Sequence, residues 1–169
     1  LLADGDQTGS HMSLGILSTS QGDLKQAEQS FRTAIKLSPA VAGPRSNLAQ
    51  LLEQQGRKDE AKQLRTEEAK LLARDVKLLP ENGMLRYRLG LLYYLLGRED
   101  EAVIALNKAC ELEPLSPDFR MMLTLLYEKQ QKWEQALDSA NTLLRLQPEN
   151  PTFRQILLNL QQKANPKNN

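Results

Sequence analysis

The chain holds one histidine, one cysteine and one tryptophan among its 169 residues. A single cysteine, Cys110, excludes an internal disulfide framework, and no Cys/His cluster has the spacing of a metal site. With His11 as the only histidine, a Ser/His/Asp-type triad has just one possible base. Net charge is nearly absent: 22 Lys and Arg stand against 21 Asp and Glu, giving +1. That balance offers no electrostatic reason for nucleic acid or an anionic membrane surface as partner. The longest apolar run is Leu91 to Leu96, far short of the roughly 20 residues that span a bilayer. There is no phosphate-binding loop and no glycine-rich dinucleotide fingerprint. These absences leave a non-catalytic chain with no cofactor and no metal as the expectation. The opening "LLADGDQT" has no initiator Met, basic stretch or long apolar stretch, and reads as a piece of a longer protein.

What the chain does have is a repeat. Four segments share a pattern opened by Ala27, Ala61, Ala102 and Ala136, with spacings of 34, 41 and 34. Prolines close the units at Pro39, Pro80, Pro114 and Pro148, spaced 41, 34 and 34. Between them, Gly22, Gly56, Gly97 and Gln131 occupy one turn position, spaced 34, 41 and 34. Apolar stripes run at helical spacing, as in Leu89, Leu92, Leu96 and Ala102, Leu106, Ala109. Glycine at the mid-unit turn supplies positive φ for a helix end, and proline stops the second helix. A lone helix pair cannot bury its stripes, so the units must stack.

A 34-residue period with two helices per unit resembles the tetratricopeptide repeat (TPR). The third unit carries the resemblance most fully, with Leu89-Gly90, Tyr93, Ala102, Leu106, Ala109 and Pro114. The first has Leu14, Gly15, Gly22, Ala27, Phe31, Ala34 and Pro39. The fourth has Leu123, Tyr127, Ala136 and Pro148, with Thr124 in place of glycine. The second keeps Leu48, Ala49, Gly56 and Ala61, but Arg65 stands where a large apolar residue is usual. The resemblance implies an all-α fold, an α-solenoid of antiparallel helix pairs in a right-handed superhelix. The units fall at 8–41, 42–82, 83–116 and 117–150. Residues 1–7 precede them, a capping helix covers 151–163 and 164–169 form a disordered tail. In the cap, Phe153, Leu157 and Leu160 share one face.

The same resemblance implies a concave groove lined by the first helices. Its positions are held by Met12 and Ile16; Ser46, Gln50 and Glu53; Tyr87, Leu91 and Tyr94; Met121, Leu125 and Glu128, with Arg88 near the rim. The family's carboxylate clamp wants Lys where Met12, Ser46, Tyr87 and Met121 stand, and Asn where Ile16, Gln50, Leu91 and Leu125 stand. Clamp binding is therefore not expected. An apolar groove rich in Met and Tyr suits an amphipathic helix or an extended apolar peptide. Some of these residues equally suit packing between neighbouring first helices. Cys110 reads as a small buried apolar side chain, and Trp133 as a packing residue at the turn into its helix. His11 lies in "TGSHMSL"; Gly9–Met12 also matches a common vector-derived scar, while the repeat register runs through it.

The spacing of 41 places seven extra residues between Ala61 and Pro80, inside the second helix of the second unit. Seven residues are two helical turns and return an apolar stripe to within about 20° of its direction. Ala61, Leu64, Leu72, Val76 and Leu79 can then share a face, with Glu67, Glu68, Arg74 and Lys77 as solvated charges. The expected result is two blocks of two repeats joined by one second helix extended by two turns. Leu71, Leu72 and Val76 form either packing or a second partner surface. The function expected is a scaffold that binds another protein or peptide, with neither nucleic acid nor membrane insertion. The alternatives are a homo-oligomerisation element and an accessory domain of a larger enzyme or cofactor protein.

Overall fold

The computed structural model describes the backbone over residues 2–165 and side chains over residues 7–165. The described residues form nine helices and no strand. They are α1 (Leu2–Ser20), α2 (Leu24–Leu37), α3 (Gly43–Gln54), α4 (Lys58–Leu78), α5 (Gly83–Leu95), α6 (Glu99–Leu112), α7 (Pro117–Lys129), α8 (Trp133–Leu146) and α9 (Pro151–Ala164). This is an all-α fold of the helical-solenoid class. Two compact units make it up, one ending at Leu78 and the other starting at Leu79.

The turns inside the helix pairs follow from the sequence directly. Gly22, Gly56 and Gly97 have φ of 80°, 78° and 74°. Gln131, at the equivalent position, is forced to 56° although its side chain disfavours that region. After each of these residues the chain closes the same helix-end cap. The N–H groups of Asp23, Arg57, Arg98 and Lys132 donate to the carbonyls of Ser18, Leu52, Tyr93 and Tyr127 at 2.8–2.9 Å. Helix starts are set by Asp23, Asn82 and Asn150, whose side chains accept backbone N–H bonds at the first turn.

In the first unit, α1 to α4 enclose Ala27, Phe31, Leu48, Ala49, Leu52 and Ala61. Gly15 of α1 lies against the Phe31 ring so closely that a Cβ there would sit 2.5 Å from it. In the second unit, Leu106 of α6 meets Phe119, Leu123 and Leu126 of α7 in one core. Thr124 is fully buried and donates to the Arg120 carbonyl; its hydroxyl also pairs with that of Ser139 at 2.7 Å. The hydroxyl thereby finds partners at a position where other units carry glycine or alanine. Phe153 and Leu160 of α9 are buried, Leu157 is half-buried, and α9 closes over Ala136 and Ala140 of α8.

Helix α4 has 21 residues, where α2, α6 and α8 have 14 each, a difference of seven. The extension is continuous helix, as expected. Two details differ from the expectation. Glu68 is not a solvated charge: it is 1% exposed and accepts a hydrogen bond from the Ser46 hydroxyl at 2.6 Å. Leu79 does not belong to the buried stripe, since α4 ends at Leu78 and Leu79 is 56% exposed. At the N-terminus, α1 starts at Leu2, ahead of the expected start at Thr8. At the other end, Ala164 is the last residue of α9, Asn165 caps it, and the rest of the expected tail lies outside the described residues.

Candidate functional site

In the first unit, the face shared by α1 and α3 forms a cavity of about 250 Å³. Phe31 and Leu51 line its buried side, both 2% exposed. Ile16, 54% exposed, projects from α1, and the side-chain amides of Asn47, Gln50 and Gln54 project from α3. Positions 47, 50 and 54 recur at three- and four-residue steps, which puts them on one face of the helix. Two expected groove residues, Ile16 and Gln50, thus meet at this cavity. Met12 is half-buried on α1, and its methyl group approaches Gly43. Ser46 turns to Glu68 instead.

Glu53 is engaged within the unit. Its two carboxylate oxygens accept from both terminal nitrogens of Arg65, at 2.9 and 2.6 Å. Those hydrogen bonds, against the opposing effect of burial, hold the Glu53 carboxyl below the usual carboxylate range. The same bonds raise the Arg65 guanidinium, which is 8% exposed. This pairing explains how an arginine can stand at a position that elsewhere holds Phe31 or Leu106: the fork is matched bidentately while its stem packs.

In the second unit, the expected groove residues separate into packing and exposed groups. Tyr87 is a packing residue as well as a groove candidate, stacked on Phe119 with ring centroids 4.4 Å apart. Burial, with Asp118 nearby, raises its phenol above the ordinary range. Tyr94 packs against the same core, and the Lys129 ammonium lies 4.7 Å from its ring centre. Leu91 and Met121 are half-buried, while Leu125 is 44% exposed. Glu128 is tied to Lys163 of α9 at 2.7 Å, so it anchors the cap. The sequence pattern did not signal these ties, because each depends on a residue about 30 or more positions away.

Cys110 is buried in the α6–α7 core, and burial pushes its thiol up. Trp133 is the first residue of α8 and packs with Ala136, Ala140 and Leu160. Of the other expected surface, Leu72 is buried at 1% exposure, and Leu71 and Val76 are half-buried. Among the described residues no group of His, Cys, Asp and Glu is arranged to hold a metal ion. Likewise no described helix is long and apolar enough to cross a membrane.

Family models described as tetratricopeptide repeat match residues 18–64 and 84–116. Among curated proteins none matches the chain. Solved structures share the fold. MamA is 18% identical with a TM-score of 0.67, over 96% of this chain and 84% of that one. PilF of Pseudomonas aeruginosa is 20% identical with a TM-score of 0.69, over 97% of this chain and 72% of that one. Cut9, solved in a hetero-tetramer with Hcn1, is 16% identical with a TM-score of 0.65 over 90% of this chain and 29% of that one.

Proposed function

Because the chain is a tetratricopeptide-repeat protein, we propose that it is a non-catalytic scaffold whose first-helix faces hold a peptide or helix of another protein. The fold is generally used for protein–protein interaction, and Cut9, a structural neighbour, assembles with Hcn1. Binding here is by apolar and amide contacts, without a carboxylate clamp. The repeat division carried with this reading is 8–41, 42–82, 83–116 and 117–150, closed by the cap 151–163.

The observation that carries the reading is the cavity between α1 and α3, with Phe31 and Leu51 at its buried side and Ile16, Asn47, Gln50 and Gln54 around it. A concave apolar site with a few uncharged donors and acceptors fits a peptide whose own polar groups are main-chain amides. In the second unit, Leu125 offers an exposed apolar contact, and Leu91 and Met121 are half-buried.

The test is selection of binders from a random peptide library, followed by affinity measurement on Ile16→Glu and Leu125→Glu. Selected peptides should lose at least tenfold in affinity for one of the two variants. Peptides that bind both variants as tightly as the parent protein would overturn the groove assignment.

A further inference from the structure

The second unit has a polar cavity of its own, of about 400 Å³, lined by residues of α6, α7 and α8. Helix α7 gives it Arg120, Leu123 and Tyr127, which share one side of that helix at three- and four-residue steps. That side lies about 130° round α7 from Met121, Leu125 and Glu128, so the cavity is distinct from the proposed peptide face. Its walls are tied together. The Asn107 side-chain amide of α6 donates to the Tyr127 hydroxyl at 2.8 Å. The Ser139 hydroxyl of α8 meets that of Thr124 at 2.7 Å, and Thr124 donates to the Arg120 carbonyl at 2.8 Å. None of these bonds uses the Arg120 side chain.

Arg120 is the exception among the arginines. Every other arginine of the chain is engaged by another group of the protein. Among the described residues the half-buried Arg120 guanidinium has neither a hydrogen-bond acceptor nor an ion-pair partner. Its Nε is buried without a partner, while its two terminal nitrogens are not buried. Donors that have lost water without gaining an acceptor destabilise the fold. Glu134 and Asp138, one turn apart on α8, line the same cavity and are likewise unpaired among the described residues. One cation and two carboxylates therefore share a cavity without pairing with one another.

That arrangement selects by charge. The terminal nitrogens of Arg120 form a fork that fits a carboxylate end-on. A bare anion would be repelled by Glu134 and Asp138, and a bare cation by Arg120. A ligand carrying both charges within a few bonds of each other meets neither objection. We propose that the cavity binds a free α-amino acid, with its carboxylate on Arg120 and its ammonium on Glu134 and Asp138. Leu123 and the Tyr127 ring supply the apolar wall for its side chain. The cavity volume falls in the range of small-molecule sites.

Isothermal titration calorimetry of the whole chain against each standard free amino acid tests this. At least one should bind, and its N-acetyl and C-terminal amide derivatives, each lacking one charge, should bind at least tenfold more weakly. Inorganic phosphate should not compete. Arg120→Met should lose at least tenfold in affinity, and so should Glu134→Gln combined with Asp138→Asn, both at exposed positions. Leu125→Glu, on the peptide face, should bind the amino acid as the parent does. Arg120→Met keeps an apolar stem and removes donors that have no acceptor, so its melting temperature should not fall. Absence of binding by every amino acid at millimolar concentration overturns the proposal. An amino acid bound equally well by Arg120→Met, or an N-acetyl derivative or phosphate bound as tightly as the free amino acid, overturns it too.

Discussion

At the scale of single residues, the fold depends on a matched pair of positions repeated four times. One lies on the first helix of a unit and one on the second: Gly15 with Phe31, Ala49 with Arg65, Gly90 with Leu106, Thr124 with Ala140. Where the second residue is Phe31 or Leu106 the first is glycine, and where the second is alanine the first grows to threonine. At Gly15 a Cβ would lie 2.5 Å from the Phe31 ring, which is 2% exposed. Gly15→Ala should therefore cost about 1–3 kcal/mol through overpacking. Gly83 is the control, since its added Cβ would meet the Glu113 carboxylate, the free end of an exposed side chain that can swing aside. Gly83→Ala should stay within about 0.5 kcal/mol of the parent. Denaturant titration of both variants checks this. If the clash is the cause, the cost of Gly15→Ala should also shrink when Phe31→Ala is present, as a double-mutant cycle would record.

At the scale of elements, the lengthened α4 carries its own explanation. Residues 70–76 read "KLLARDV" and residues 77–80 read "KLLP", so the helix end is written twice at a distance of seven. Removing Lys70–Val76 puts Leu78 and Leu79 at the places of Leu71 and Leu72. It also leaves Pro80 as far from Ala61 as Pro39 is from Ala27, and restores a second helix of ordinary length. The stripe then keeps its direction to within about 20°. A deletion of five residues, Lys70–Arg74, turns everything after it by about 140°. Thermal melts followed by circular dichroism should show one cooperative transition for the seven-residue deletion, and a lower or broadened one for the five-residue deletion. Equal damage from both would show that length rather than phase matters here. The extra turns and the glycine turns were legible in the sequence because both are local: a period, a proline, a residue that tolerates positive φ. Glu68 and Tyr87 were not. A helical wheel assigns a side chain a direction, but whether that direction meets solvent, the Ser46 hydroxyl or the Phe119 ring is decided by another helix. The polar lining of the α1–α3 cavity was half legible: Ile16 and Gln50 fell at groove positions, while Asn47 and Gln54 showed themselves only once the two helices were side by side.

At the scale of the whole chain, stability is a sum of neighbour contacts rather than one central core. The ion pairs contribute little to that sum. Lys129 with Glu99 and Lys163 with Glu128 are surface pairs, screened by salt and adding little. The apolar stacks are the main term, and each unit has its own: Phe31 with Leu48 and Leu52 in the first, Leu106 with Phe119 and Leu123 in the second. The units differ in how their ends are finished. The second has α9, which buries Phe153 and Leu160, while the first exposes Leu14 and Leu17 on α1. A fragment of residues 79–169 should therefore fold alone, with helical circular dichroism and a cooperative urea transition. A fragment of residues 1–78 should be the less stable of the two, and should gain solubility when Leu14 and Leu17 are replaced by Gln. A non-cooperative melt for the 79–169 fragment would mean that its core and cap do not suffice.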